Sequence, residues 1–190
     1  MHRSVVVTSA LAAAFALASI AKAEYLRFDA SLGTLPTVQG WDFLGDFNAP
    51  ASAAAGTLTY GPTSVSGTTY WGHSPVAAVD FATQTVFIEA TIRLKGCGFG
   101  NISGFRRGGF SLYLQDDAGR YIIADLGDNA LSLGNDNNRT SDPFLAFDLT
   151  QTFHTVRLEA GPAGARLLVD GVEKLTLSLG TGAGGTAQGW

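Results

Sequence analysis

The stretch 153-FHTVRLEAGPAGARLLVDGVEKLTLSL-179 decides the fold. His154, Val156, Leu158 and Ala160 fall on one side of its first run, and Phe153, Thr155, Arg157 and Glu159 on the other. A repeat of two is the period of a half-buried strand. Gly161-Pro162-Ala163-Gly164 interrupts the run, and Ala165, Leu167 and Val169 resume it. Asp170-Gly171 then supplies the positive-φ pair that a tight hairpin requires. The segment therefore reads as an antiparallel meander of three strands.

The same period recurs upstream. In Thr85 to Lys95, Val86, Ile88, Ala90, Ile92 and Leu94 share one face, and Phe87, Glu89, Thr91 and Arg93 the other. Phe110 to Gln115, Arg120 to Leu126 and Ala130 to Leu133 read as three more strands. They are joined by Asp116-Asp117-Ala118-Gly119 and Gly127-Asp128-Asn129, both rich in turn-forming residues. Weaker strand signals lie at Glu24 to Asp29, Gly40 to Gly45, Thr57 to Tyr60 and Ser64 to Tyr70. Ser31 to Gly40, Asn48 to Gly56, Gly96 to Gly109 and Asn135 to Pro143 are expected to be loops, the third a long mobile connection. No stretch after residue 23 carries a capped helical period. Many short strands between turn signals predict an all-β, two-sheet antiparallel sandwich.

The first 23 residues have another purpose. Met1-His2-Arg3 is basic, Ser4 to Ile20 is Ala-rich and apolar, and Ala21-Lys22-Ala23 has the small-x-small form of a cleavage site. This is the pattern of a secretory signal peptide, which leaves a mature chain of Glu24 to Trp190 as one domain with no membrane span. Export to the medium or the cell surface is the expectation.

The whole chain carries a net charge of −4, and its one adjacent basic pair is Arg106-Arg107, so nucleic acid is not an expected partner. Cys97 is the single cysteine, which excludes an internal disulfide and leaves stability to the core. Cys97, His73 and His154 lack zinc-ligand spacing. Asn101-Ile102-Ser103 and Asn138-Arg139-Thr140 match the glycosylation sequon, a pattern that arises readily by chance in a Gly/Asn-rich chain.

Four stretches in sequence order resemble the concanavalin A-like (laminin G-like) jelly rolls. They are FDASLGTLP from Phe28, the alternating strand from Thr85, GGFSLYLQDDAGRYIIADLG from Gly108, and HTVRLEAGPAGARLLVDGVEKL from His154. The resemblance spans most of the mature chain and implies a jelly-roll sandwich. In that family a Gly-rich loop such as Gly180 to Gly189 leads into a further strand beside the first. The resemblance thus implies a fragment lacking its last strand, with an unpaired edge.

The family includes glycoside hydrolases and polysaccharide lyases, but neither signature is here. No ExDxE or ExDxxE motif places two carboxylates the roughly 5 to 5.5 Å apart that a retaining mechanism needs. Asp116-Asp117 reads as a turn. Glu89 and Glu159 could converge on neighbouring strands, yet Arg93 and Arg157 share their faces, and charge pairing is the simpler reading. No nucleophile elbow supports serine chemistry.

Carbohydrate binding is better supplied with residues. Tyr113 and Tyr121 fall on the polar faces of adjacent hairpin strands with Gln115 and Asp125 beside them, and Trp71, next to Tyr70, could rim the same surface. No cofactor is required. Calcium is the one candidate, for the oxygen-rich loop holding Asn135, Asp136 and Asp142. The sequence thus points to a secreted, non-catalytic domain that binds glycan or cell-surface polysaccharide, or serves adhesion. Its alternatives are a divergent glycoside hydrolase of the same fold and a structural cell-envelope domain without ligand.

Overall fold

Alternation dictates which side chains share a face, and hydrogen-bond register dictates which of them meet. Both are seen in the computed structural model, which describes residues 28–43, 51–60, 71–72, 78–94, 100–102, 105–107, 109–135 and 142–179. Residues 1–23, Tyr70, His73, Cys97, Asp136, Asn138 and the tail from Gly180 lie outside them. The chain divides into two units, Met1–Ser74 and Pro75–Trp190.

In the first unit β1 (Asp42–Phe43) pairs with β4 (Trp71–Gly72), and β2 (Ala51–Ala54) with β3 (Thr57–Tyr60). Two 3-10 turns, Ala30–Leu32 and Pro36–Gln39, precede them. The Gln39 amide joins these turns, accepting from Asp29 N at 2.7 Å and donating to Asp29 O and Thr34 Oγ1, each at 2.9 Å. The loop expected over Asn48 to Gly56 is thus corrected. Ala55 and Gly56 adopt positive φ, and the resulting two-residue turn brings Ala51–Ala54 into a ladder with Thr57–Tyr60 despite weak strand propensity.

The second unit holds two four-stranded antiparallel sheets. The front sheet contains β8 (Phe110–Gln115), β9 (Tyr121–Leu126), β10 (Ala130–Gly134) and β11 (Phe144–Ala146), in the order β11-β10-β9-β8. The back sheet takes β5 (Val86–Ile92), β12 (His154–Gly161), β13 (Gly164–Val169) and β14 (Val172–Leu177), in the order β14-β13-β12-β5. The strand expected over Thr85 to Lys95 is therefore shorter at both ends. The Gly96 to Gly109 connection is corrected as well: it contains a hairpin of β6 (Gly100–Ile102) and β7 (Phe105–Arg107).

The sheets close on each other with β8 over β5 and β12, and β10 and β11 over β14, giving a β-sandwich. Every second residue of the central strands enters one core. Leu112, Ile122, Leu131 and Leu133 come from the front, and Val156, Leu158, Leu167 and Val169 from the back, all buried, while Ile88 and Ile92 pack at the margin. Burying each such side chain contributes about 1.5–3 kcal/mol, which is how this unit holds together without a disulfide. Among the described residues no helix is long and apolar enough to cross a membrane.

A turn and a bulge set the register of β13 and β14. Asp170 (φ 53°) and Gly171 (φ 76°) form the β13–β14 hairpin as their sequence requires. Beyond it the pairing shifts by one residue between Leu167 and Leu168, so that Leu167 faces Leu175 and Leu168 faces Glu173. The extra residue is Lys174, whose Nζ lies 5.3 Å from the centre of the Phe147 ring.

Candidate functional site

The β8–β9 register pairs Gln115 with Tyr121, Tyr113 with Ile123 and Ser111 with Asp125, all on the outer face of the front sheet. Tyr113 and Tyr121 are therefore diagonal neighbours. Their rings stack with centroids 5.8 Å apart and planes inclined by 22°. The Tyr113 hydroxyl donates to Gln115 Oε1 at 2.8 Å, which fixes the ring along its own strand, and Tyr113 is 43% exposed. Tyr113, Tyr121 and Gln115 thus meet as a polar-rimmed aromatic surface.

Asp125 differs from expectation. It lies on the same face but is only 2% exposed, and its Oδ1 accepts from Ser111 Oγ at 2.6 Å. A third strand explains this: β10 sets Ser132, 1% exposed, beside Asp125, and β7 packs against β9. Asp125 is a buried member of a Ser111–Asp125–Ser132 row, the next row along this face from the Tyr113–Ile123 pair. Trp71 belongs to the Met1–Ser74 unit, where it pairs with Phe43. Asn135 follows β10 and Asp142 precedes β11. Among the described residues no three His, Cys, Asp or Glu side chains group as a metal site.

A charged clamp that alternation alone could not reveal holds the end of the platform. The β8–β9 turn places Asp116 and Arg120 against Asp80, and Arg120 Nη2 lies 2.5 Å from a carboxylate oxygen of each. Arg120 Nε also donates to Asp116 Oδ2 at 2.7 Å, and Asp116 accepts from the amides of Arg120 and Phe81. Burial pushes the Asp116 carboxyl up, but Arg120 and those amides outweigh it and hold it below its ordinary value. The Ala82 amide, with Arg120 and Thr83 in support, does the same for Asp80 against its slight desolvation. Asp116-Asp117 form a turn, as expected.

Comparison with protein-family models, curated proteins and solved structures finds no match.

On the outer face of the back sheet, Glu89 and Glu159 stand on neighbouring strands with Arg157 opposite Glu89. Arg157 Nη1 lies 3.7 Å from Glu89, and Arg157 Nε lies 2.7 Å from Glu159 Oε1, an ion pair off hydrogen-bond alignment. Arg166 Nε donates to the other Glu159 oxygen at 2.5 Å, and Arg157 covers the Phe87 ring at 3.7 Å. Both carboxylates are thus engaged by arginines across three strands, the arrangement of a structural charge ladder.

His154 is the one described histidine. Its Nδ1 lies 2.7 Å from Asp170 Oδ2, and its ring meets Phe147 edge-on at 5.4 Å. The only sequence signal for this pair was a histidine on the apolar side of the strand that precedes the Asp-Gly hairpin.

Proposed function

We propose that this chain is a secreted or cell-surface, non-catalytic domain of concanavalin A-like jelly-roll type that binds glycan or cell-surface polysaccharide. The observation that carries the reading is the Tyr113–Tyr121 stack with Gln115 clamping the Tyr113 hydroxyl. Sugar rings present C–H faces that pack on aromatic faces, and their hydroxyls exchange hydrogen bonds with amides and phenols. A half-exposed tyrosine on a rigid sheet offers both without a large ordering cost. The arginine partners of Glu89 and Glu159 support a structural role for that pair over a hydrolytic one. Export follows from the leader-like first 23 residues, and adhesion is the role such binding would serve at a surface.

A glycan array probed with and without calcium tests the reading. A hit that disappears with Tyr113→Ala and Tyr121→Ala, in a variant that stays folded, supports it. An array blank under both conditions speaks for a structural envelope domain instead.

A further inference from the structure

We infer that Arg120 is the positioning residue of the tyrosine platform: by holding Asp116 to Asp80 it sets the Tyr113–Tyr121 stack, and so the glycan affinity, acting through those carboxylates and not on the glycan. This rests on the carbohydrate reading above and adds to it what keeps the site in its binding geometry. The argument starts at the end of a ladder. Gln115 and Tyr121 are the last β8–β9 pair before the turn, so these two platform residues sit directly beside Asp116 and Arg120. Asp116 N donates to Arg120 O at 3.0 Å and Gly119 N to Asp116 O at 2.9 Å, which closes the turn. In the order β11-β10-β9-β8, β8 is the end strand among the described residues. A hairpin end in that place opens more readily than the middle of a sheet.

A second anchor opposes that opening. Asp117 N donates to Val79 O at 2.9 Å and Val79 N to Asp117 Oδ2 at 3.2 Å, which lays the turn along the chain ahead of β5. Phe81, fully buried, fixes that chain in the core, and the Arg120 guanidinium lies 5.9 Å from the centre of its ring. Arg120 Nη2 bridges Asp80 on this segment and Asp116 on the turn, each at 2.5 Å. The Asp116 side chain has no exposed surface, and its charge is offset by the guanidinium and by the Arg120 and Phe81 amides. One fork-shaped cation thereby ties core, turn and platform together. The stack needs such a tie, because a binding surface works only when its side chains are held to within about 0.5 Å.

Asp80→Asn in the full chain tests this. It keeps an acceptor for Ala82 N, removes one of the two charges that Arg120 bridges, and lies at a half-exposed position where the fold tolerates it. Arg120→Lys, which keeps the charge and loses the fork, is the second variant. Glu173→Gln, which removes a partner of Arg166 on the back sheet, is the control. Ring-proton NMR of the ligand-free proteins should show Tyr113 and Tyr121 displaced in both variants and unmoved in the control. Affinity electrophoresis follows, in gels holding a soluble glucan, a mannan or polygalacturonate. The polymer that retards the wild type should bind both variants about twofold to fivefold more weakly, the scale of a partly exposed ion pair, and the control equally well. Unmoved tyrosine rings, or displaced rings with unchanged retardation, overturn the inference and leave a glycan-binding protein. Retardation of the wild type by none of the three polymers overturns it together with the carbohydrate reading.

Discussion

Asp170 Oδ2 sits 2.7 Å from His154 Nδ1, so the β13–β14 hairpin is tied to the first residue of β12. Its other oxygen accepts from Thr155 N at 2.9 Å, and the Asp170 amide donates to Thr155 O at 2.8 Å. One residue with positive φ thereby anchors a turn to a neighbouring strand through side chain and backbone alike.

This contact gives the fold a pH dependence. The His154 ring, followed by the Thr155 amide, holds the Asp170 carboxyl below its ordinary value. A depressed carboxylate contributes stability that is fully present above its unfolded pKa of about 4 and lost as pH falls through the lower folded value. Asp170→Asn keeps an acceptor for Thr155 N and tolerates the left-handed backbone but cannot ionise. Denaturation midpoints between pH 2 and 7 should therefore converge for wild type and variant at the acid end and separate above about pH 4. A constant gap across that range contradicts the assignment.

Gly164 and Gly171 make a matched pair. Gly164 has φ 111°, and a methyl group there would lie 2.7 Å from Leu177 O, a backbone atom held in β14. Gly171 has φ 76° with nothing near such a methyl. Gly171→Ala should cost about 1–2 kcal/mol, the price of a left-handed alanine. Gly164→Ala should cost more, about 2–4 kcal/mol, because strain and clash combine. Urea denaturation of both variants checks the order.

Leu158 lies fully buried in β12, between β13 and β5. Leu158→Ala should lower unfolding free energy by about 2–5 kcal/mol, through lost transfer energy and a cavity that the sheets cannot fully close. A change below about 1 kcal/mol would place the core elsewhere.

Glu159 is 7% exposed, but Arg157 and Arg166 around it are partly in solvent. Glu159→Gln should accordingly cost about 1 kcal/mol, well short of the 3–5 expected when half of a fully buried pair is removed. Chemical denaturation in low and high salt measures it, with the gap narrowing as salt rises.

Much of this architecture was legible because alternation and turn chemistry agreed. From Phe153 to Val169, alternation, followed by the Asp-Gly pair, predicted the three-strand meander, and the pleat of β5, β8 and β9 was equally plain. What escaped had no local signal. Ala51–Ala54 is alanine and serine, and only its partner across a positive-φ turn makes it a strand. Phe144–Ala146, a three-residue run directly after Pro143, is a strand only because β10 offers it an edge. Gly100–Ile102 and Phe105–Arg107 were hidden among glycines. At the site, hairpin register brought Tyr113, Tyr121 and Gln115 together as their spacing implied. The burial of Asp125 was not foreseeable, because it depends on β7 and β10, which the β8–β9 hairpin does not specify.

The tyrosine platform is tested most directly by NMR of the ring protons while the strongest oligosaccharide from the array is added. Tyr113 and Tyr121 should shift with a common saturation curve, while Phe87 and Phe153, associated with the back sheet, stay fixed. Saturating shifts confined to the back-sheet rings, with the two tyrosines unmoved, would contradict it.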